Sequence, residues 1–205
     1  MKSNPKFITL EGVDGAGKST CIKFIKKYLT DKKFNYFFTR EPGGTVLGEK
    51  LRDILLHDVM TPETETLLMF AVRNEHIHKV INPSLKAGVI VVSDRFTDAT
   101  YAYQSGGKNV ETKKITILKN WVHKDLKPDL TLLFDLPTDV SLSRLKSDGD
   151  LDKFEKEAAG FHMKIRESYL ALAKKEPKRF EIINSNQNIN IIEKEIYFAL
   201  DKLFL

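Results

Sequence analysis

A glycine-rich segment near the start of the chain constrains its fold more than any other feature. Residues 7–20 read FITLEGVDGAGKST, and the second half of this segment fits the pattern G-x-x-x-x-G-K-[ST]. An apolar run at residues 7–10 precedes the pattern, and from Cys21 onward apolar residues recur with helical spacing. The sequence therefore predicts a strand, a loop and a helix in that order. In that context backbone N–H groups and a helix N-terminus hold phosphate groups.

The side chains of this loop indicate that its ligand is a nucleoside triphosphate. Lys18 is in position to reach the β- and γ-phosphates, and the Ser19 hydroxyl is in position to ligate Mg²⁺. A plain glycine-rich turn is the simplest alternative, but it needs neither residue. A dinucleotide-binding loop is disfavoured because position 20 is Thr, where that fingerprint has Gly. The predicted ATP-binding residues are Gly12, Val13, Asp14, Gly15, Ala16, Gly17, Lys18, Ser19 and Thr20.

The order of apolar segments along the chain predicts an α/β fold. Strands are expected near residues 7–10, 36–39, 89–92, 130–134 and 180–183. Helices alternate with them, including one from Pro62 to about Ile81 that Pro83 is expected to end. We therefore predict a P-loop NTPase-like, parallel five-stranded sheet with helices on both faces. The sheet is expected to form a single domain over residues 1–205, with a charged lid at about 146–157.

Composition and charge limit the classes of protein to which the chain can belong. Lys and Arg exceed Asp and Glu by 33 to 28, a mild excess with no block of like charges that would favour nucleic acid. Cys21 is the single cysteine, so a disulfide framework within the chain is excluded and a reducing compartment is expected. The N-terminus does not read as a secretory signal, and no apolar run approaches the roughly 20 residues of a membrane span. We expect a cytoplasmic protein without nucleic-acid or membrane partners.

A second candidate for metal binding follows the strand at 89–92. Asp94 lies where a carboxylate near Mg²⁺ is expected, because ligands bind at the carboxyl ends of parallel strands. The plainer alternative is a helix cap or an ion pair with Arg95. The histidines show no pair spacing with a third ligand that would indicate zinc. Cys21 is expected on the buried face of the first helix, where a thiol is inert.

Five segments, in the order in which they occur, resemble the bacterial thymidylate kinase family. They read FITLEGVDGAGKST, TREPGGT, LRDILL, SDRFTDATYAYQSGG and PDLTLLFDL. The first alone indicates only an NTPase, whereas REPGGT together with DRF…AYQ is far more specific. The resemblance covers nearly the whole chain. It implies transfer of the γ-phosphoryl group of ATP to dTMP, giving dTDP for dTTP biosynthesis, with Mg²⁺ as cofactor in a homodimer.

The resemblance also implies roles for individual residues. Asp14 would accept a hydrogen bond from the 3′-hydroxyl of the dTMP deoxyribose, and Arg95 would clamp the monophosphate. Arg73 would donate a hydrogen bond to a thymine carbonyl. An arginine suits the clamp because its planar fork meets phosphate bidentately. The other implied acceptor contacts are Glu41 and Pro42 under the sugar, joined by a candidate cis bond, Arg52 beside the pocket, Thr100 and Gln104 at the base edge, and Tyr103 against the sugar 2′ position. Solvated helical arginines and a core tyrosine are the plainer alternatives.

The stacking position departs from the family pattern. In the family, a Phe four residues before the base-reading arginine stacks on thymine, but here that position is Met69 and Phe70 follows it. A Met sulfur packs well against a ring, and a shift of one residue would bring the Phe in instead. Either residue is therefore a candidate. The same helix carries apolar residues on more than one side, and one such face is a candidate for pairing with a second subunit.

The lid also departs from the family pattern. Position 15 is Gly, so the glycine loop supplies no arginine, and Asp148 stands where another lid arginine is common. Phosphoryl transfer needs cations around the moving group. Our hypothesis is that Lys146, Lys153 and Arg144 close over ATP, and the alternative is a solvated run of charges. The candidate catalytic residues are thus Lys18, Arg95, Asp14, Lys146 and Lys153.

Other functions are compatible with the loop alone. A related P-loop kinase acting on another nucleoside or nucleotide is the main alternative. A regulatory nucleotide switch is a weaker one, because the chain lacks a guanine-reading N-K-x-D segment. No general base is evident, and transfer to an already ionised phosphate needs none.

Overall fold

The computed structural model describes residues 5–147 and 152–204, except for the side chains of residues 146 and 147. Its strands are β1 (Phe7–Glu11), β2 (Tyr36–Arg40), β3 (Ile90–Asp94), β4 (Leu130–Asp135) and β5 (Phe180–Asn184). They form one sheet in the order β2-β3-β1-β4-β5, and each neighbouring pair is parallel. The predicted five-stranded parallel sheet is confirmed.

Helices connect the strands. They are α1 (Lys18–Asp31), α2 (Val46–His57), α3 (Pro62–His76), α4 (Asn82–Lys86), α5 (Thr97–Thr100), α6 (Thr112–His123), α7 (Thr138–Ser147), α8 (Ala159–Lys175) and α9 (Ile189–Phe204). Two π-helical segments occur as well. Ile77–Ile81 joins α3 to α4, and Tyr101–Gly107 extends α5. No helix in the described ranges is both long enough and apolar enough to cross a membrane.

The central strands are buried on both faces, which explains their unbroken apolar sequences. Side chains alternate along a strand, so Ile8 and Leu10 face one side of β1 and Phe7 faces the other. Ile8 and Leu10 pack in the main core cluster with α1 and α9, whereas Phe7 packs in a second cluster with Ile77 and Ile81. Helical elements therefore cover both faces of the sheet, as predicted.

The helix predicted to end before Pro83 continues through it. α3 ends at His76, the next turn is π-helical, and α4 carries Pro83 in its first turn. The Asn82 N–H donates to the Ile77 carbonyl, five residues back. A proline disrupts an α-helix because it has no N–H and its ring meets the carbonyl four residues back. The wider π turn relieves that contact, and for this reason the predicted stop was wrong.

The register of two neighbouring strands brings the two predicted phosphate-binding regions together. Leu10 of β1 lies opposite Asp94 of β3, and the Arg95 N–H donates to the Leu10 carbonyl at 2.9 Å. The loop after β1 and the residues after β3 are therefore side by side at the carboxyl edge of the sheet, where ligands bind in parallel α/β folds.

Candidate active site

The glycine loop occupies residues 12–17, between β1 and α1. Gly12 has φ +139°, and a Cβ at this position would lie 2.5 Å from the Phe134 carbonyl oxygen, so only glycine fits here. The main-chain N–H groups of residues 14, 15 and 17–19 donate no hydrogen bond within the described part of the chain. With the N-terminus of α1 they form a set of donors suited to phosphate oxygens.

The Lys18 ammonium lies back across this loop. Its Nζ donates to the carbonyl oxygens of Gly12 at 3.1 Å and Val13 at 3.0 Å. Burial lowers the pKa of Lys18, and the nearby Arg95 guanidinium lowers it further, while Asp14 opposes the shift. Lys18 is thus a buried cation bonded to neutral carbonyls, and an anionic phosphate oxygen is a stronger acceptor than either of them.

Helix α7 supports the loop from behind. The Ser141 hydroxyl donates to the Asp14 carbonyl at 2.7 Å, and the Arg144 guanidinium donates to the Gly15 and Ser185 carbonyls at 3.3 Å each. Arg144 therefore contacts the main chain of the loop, whereas the sequence analysis placed it over ATP.

Arg95 follows β3 directly and lies at the centre of the site. Its φ of +70° is left-handed, a conformation that costs a non-glycine residue of the order of 1 kcal/mol. Its Nη2 forms an ion pair with Asp14 and donates to the Tyr103 hydroxyl at 2.8 Å. Its Nη1 donates to the Tyr169 hydroxyl at 3.1 Å. The Nε–H and one Nη1–H have no partner among the described residues, so they can donate to a ligand.

Asp14 connects the glycine loop to this arginine. The Tyr103 hydroxyl donates to Asp14 Oδ2 at 2.5 Å, and Arg95 is paired with the other oxygen. Burial alone would raise the pKa of Asp14, but the Arg95 and Lys18 cations outweigh it and lower the pKa to about 2. Asp14 is therefore a permanent anion whose two oxygens hold Arg95 and Tyr103 in place.

A second carboxyl group lies beneath Arg95. Glu11, fully buried at the end of β1, accepts a hydrogen bond from the Phe96 N–H at 2.8 Å and from the Tyr169 hydroxyl at 2.7 Å. Burial raises the pKa of Glu11 to about 8, and the charge of Asp98 adds to the shift. Because Tyr169 contacts both Glu11 and Arg95, it links the floor of the site to the arginine.

A buried chain of hydrogen bonds forms the far end of the site. Arg73 Nε donates to Glu41 Oε2 at 2.7 Å, and Glu41 Oε1 lies 2.9 Å from His76 Nδ1. His76 Nε2 is 2.6 Å from the Thr39 hydroxyl. Burial would raise the pKa of Glu41, but Arg73 and His76 together outweigh it and the net shift is downward. The Arg73 Nη1 is buried and has no hydrogen-bond partner among the described residues.

An open cavity lies between these groups. Its lining includes all but one of the residues predicted to bind the acceptor: Asp14, Glu41, Pro42, Arg52, Met69, Arg73, Arg95, Thr100, Tyr103 and Gln104. The structure also brings Leu56, Phe96, Ala99, Asp152 and Phe154 to its wall. The Glu41–Pro42 peptide bond is cis, as the sequence analysis proposed.

The two candidates for stacking on the base lie in different environments. Phe70 is 2% exposed and packs in the core with Val110 and Ile115. Its ring contacts the Arg73 guanidinium at 4.9 Å. Met69 lines the cavity and Phe70 does not, so only Met69 is placed to contact a ligand there.

The three cavity arginines differ in how their charge is balanced. Arg73 is paired with Glu41, and Arg95 with Asp14. Arg52 donates to the Pro42 carbonyl at 2.8 Å and forms no ion pair within the described residues. Burial lowers the pKa of Arg52, with a smaller contribution from the nearby Arg40. Arg52 is thus the cavity arginine most in need of an anion.

Ser19 and Asp94 are the candidate metal ligands. Ser19 is exposed in the first turn of α1, next to the free N–H groups of the loop. Asp94 Oδ1 is buried without a hydrogen-bond partner, which fits a carboxylate awaiting a cation or its bound water. No group of three or more His, Cys, Asp or Glu side chains suited to a metal occurs in the described ranges. A site of one hydroxyl, one carboxylate and phosphate oxygens is still compatible with Mg²⁺.

Lys153, the lid lysine whose side chain the structure describes, does not contact the glycine loop. Lys153 Nζ is 3.0 Å from Glu65 Oε2 and donates to the Asp58 carbonyl at 2.9 Å. The side chain of Lys146 and the whole of Asp148 lie outside the described residues. In the structure, Lys153 therefore contacts α3 and the segment that precedes it.

Several residues that support the site from behind the cavity lining carried no sequence prediction, among them Glu65, Lys108 and Tyr169. A signal for Glu65 was present, because residues 65, 69 and 73 are spaced by four and so share one face of α3. No comparable signal exists for Tyr169, which meets its partner Glu11 across 158 residues of chain.

Comparisons with known proteins identify relatives along nearly the whole chain. A family model described as thymidylate kinase matches residues 10–196. A thymidylate kinase from Methylobacillus flagellatus is 54% identical over 191 residues, covering 93% of this chain and 94% of the relative. One from Neisseria meningitidis serogroup B is 49% identical over 206 residues, covering 98% of each. The crystal structure of thymidylate kinase from Ehrlichia chaffeensis aligns with a TM-score of 0.79 at 31% identity, over 96% of this chain and 99% of that chain.

Proposed function

The chain belongs to the thymidylate kinase family, and from that premise we propose that its two adjacent anion sites hold ATP and dTMP and pass the γ-phosphoryl group between them. The observation that carries this assignment of sites is the pairing of β1 with β3, which sets the glycine loop beside Arg95. The products are ADP and dTDP. The reaction takes place in one domain that spans the chain.

The donor site is the glycine loop. Its free N–H groups receive the β- and γ-phosphates of ATP, and Lys18 exchanges its two carbonyl partners for phosphate oxygens. This exchange favours ATP because an ionic hydrogen bond replaces a weaker one. Ser19 and Asp94 hold Mg²⁺, which when bound supplies positive charge to the phosphate oxygens.

The acceptor phosphate lies between Arg95 and Arg52. Arg95 offers its Nε–H and one Nη1–H, while Asp14 and Tyr103 hold its Nη2 in place. Arg52 supplies a positive charge, because no carboxylate among the described residues forms an ion pair with it. Two guanidinium groups orient the phosphate oxygen toward the donor, and holding the reactants in this way is the main source of rate when no base is required.

The thymine base points to the end of the cavity near α3. The unpartnered Nη1 of Arg73 donates to a base carbonyl, and Thr100 and Gln104 contact the base edge. Met69 packs against the ring through its sulfur. The sugar lies over Glu41 and Pro42, with Tyr103 close to its 2′ position.

Lys146 and Lys153 add positive charge over the donor when the lid covers ATP. For Lys153 this requires that its ammonium leave Glu65. Alanine replacement of each lysine tests the assignment, and turnover unchanged in both variants would refute it.

A second copy of the chain is the natural partner for an apolar surface on α3 and α6. Leu67 is 56% exposed, Ile117 59% and Trp121 80%. Leu67 and Ile117 also line an apolar cavity between the two helices. Burying a surface of this kind is typical of homodimers. Sedimentation of wild type and of Trp121→Glu measures the dimer, which the added charge should weaken.

The decisive experiment is ADP release, measured with the purified enzyme across the common nucleoside monophosphates. We expect dTMP to be phosphorylated with the highest kcat/KM. If a different monophosphate or a nucleoside is the preferred acceptor, that compound takes the place of dTMP. The proposed donor site is then unaffected.

A further inference from the structure

We propose that Glu65 fixes the orientation of the Gln104 amide and thereby makes the cavity select thymine over cytosine. The inference rests on the proposed binding of dTMP in this cavity. Glu65 itself does not line the cavity, so it acts through Gln104 as a positioning residue.

Glu65 is a completely buried carboxylate in the first turns of α3, and three donors surround it. Gln104 Nε2 donates to its Oε1 at 3.0 Å. Lys108 Nζ donates to its Oε2 at 2.9 Å, and Lys153 Nζ lies 3.0 Å from the same oxygen. The donors come from the π-helical segment, from the loop after it and from the lid.

The charge of Glu65 decides which way the Gln104 amide faces. Two ammonium groups balance the carboxylate, and a carboxylate only accepts hydrogen bonds. The nitrogen of the amide must therefore face Glu65, which turns the amide oxygen, Oε1, away from it. That oxygen makes no hydrogen bond to any described residue, although Gln104 is only 1% exposed and lines the cavity. An acceptor is thus presented to the ligand.

Gln104 Oε1 and Arg73 together present an acceptor and a donor of hydrogen bonds to the base. Thymine presents an N3–H donor beside carbonyl acceptors, and these match Gln104 Oε1 and the unpartnered Arg73 Nη1. Cytosine presents a bare N3 acceptor beside an amino donor. It would set a lone pair against Gln104 Oε1 and an N–H group against Arg73. A site built to hydrogen-bond one partner rejects the other because buried polar groups are left unpaired.

The lysines explain why a carboxylate is tolerated at this depth. A buried charge without partners is strongly unfavourable, and Lys108 and Lys153 supply the balance. Both ammonium groups also lie over the Phe154 ring, at 4.6 and 5.2 Å from its centre. In this arrangement both oxygens of Glu65 act as acceptors, and this is what prevents the Gln104 amide from flipping.

The test is Glu65→Gln, which keeps the volume of the side chain but can donate as well as accept. The Gln104 amide is then free to reverse and to offer its NH₂ group to cytosine. We expect the ratio of kcat/KM for dTMP to that for dCMP to fall at least about tenfold, the effect of one good hydrogen bond. Most of the change should appear in KM. Calorimetric Kd values for both nucleotides give the same ratio where turnover is slow.

Glu63→Gln is the matched control, since it makes the same change on the same helix at an exposed ion pair with Lys114 and keeps the Glu65–Gln104 hydrogen bond. Its ratio should match that of wild type. A ratio unchanged in folded Glu65→Gln, or an equal loss for both nucleotides, overturns the proposal. If that variant does not fold, Gln104→Leu takes its place, and a wild-type ratio there overturns the proposal equally. Wild-type turnover of dTMP tests the proposed function separately.

Discussion

The donor and acceptor halves of the site are built in different ways. In the donor half, Lys18 bonds to the Gly12 and Val13 carbonyls, six and five residues away. In the acceptor half, Arg73 is held by Glu41 across 32 residues. The first half is a local main-chain cradle, whereas the second is a set of buried side-chain pairs contributed by several elements.

This difference predicts that substitutions in the two halves affect catalysis and stability to different extents. A side chain that bonds to neutral carbonyls can be removed without leaving a buried charge, so the donor half should respond mainly in rate. A buried pair that loses one member leaves its partner uncompensated, so the acceptor half should respond in stability as well. Four measurements test this contrast.

Lys18→Met should have the largest effect. Removing one preorganised cation at the transferring phosphoryl group is expected to lower kcat by about 10³. The melting temperature should stay close to that of wild type, because the lost partners are two carbonyls. Turnover and thermal unfolding measured on the same preparation provide the check. A large loss of stability would remove the contrast.

Glu41→Gln should be the most destabilising change in the acceptor half. It leaves the Arg73 guanidinium buried without its counter-charge, at a cost of about 3 kcal/mol in the free energy of unfolding. The control is Glu49→Gln, which weakens the exposed pair with Arg40 and should cost less than about 1 kcal/mol. Urea unfolding measures both, and equal costs would contradict the proposed role of burial.

The pH dependence of stability should report on Glu11. Its pKa is raised to about 8 in the folded protein, so the native state keeps a proton that the unfolded state releases near pH 4.5. The stabilisation is complete below that pH and is lost as the pH rises toward 8. The limiting slope is about 1.4 kcal/mol per pH unit. Glu11→Gln should remove this component. Urea unfolding at pH 5.5 and 7.5 measures it, and an equal change in the free energy of unfolding between the two pH values in wild type and variant would contradict the prediction.

Tyr169→Phe should have the smallest effect. It deletes the hydroxyl that joins Glu11 to Arg95, a loss of about 1 kcal/mol. The KM for dTMP should rise by about fivefold, while the KM for ATP should change little. If both KM values rise together, Tyr169 supports the whole site and not the acceptor half alone.

The same contrast explains what the sequence could predict. The glycine loop is local, so its strand, loop and helix followed from spacing alone. Arg95, Arg73 and the cis bond before Pro42 depended on a resemblance, because nothing in their immediate neighbourhood marks them. The structure then separated Met69 from Phe70, since the rotation of α3 decides which side chain reaches the cavity.

The features that the sequence did not reveal depend on long-range contacts and on backbone geometry. The structure pairs Lys153 with Glu65 on a helix far away in the chain, while its expected place over ATP stays a prediction. Pro83 was expected to end a helix, and the π turn before it has no simple sequence mark. Tyr169 meets Glu11 only after α8 packs against the sheet.

The π-helical segment Tyr101–Gly107 has a consequence for comparing relatives. It holds Tyr103 and Gln104 toward the cavity, and the Lys108 N–H reaches back five residues to the Tyr103 carbonyl. A deletion of one residue here would restore ordinary helical spacing and swing every later side chain by about 100° around the axis. In an alignment, a single gap within this stretch would therefore mark altered substrate preference more reliably than many substitutions elsewhere.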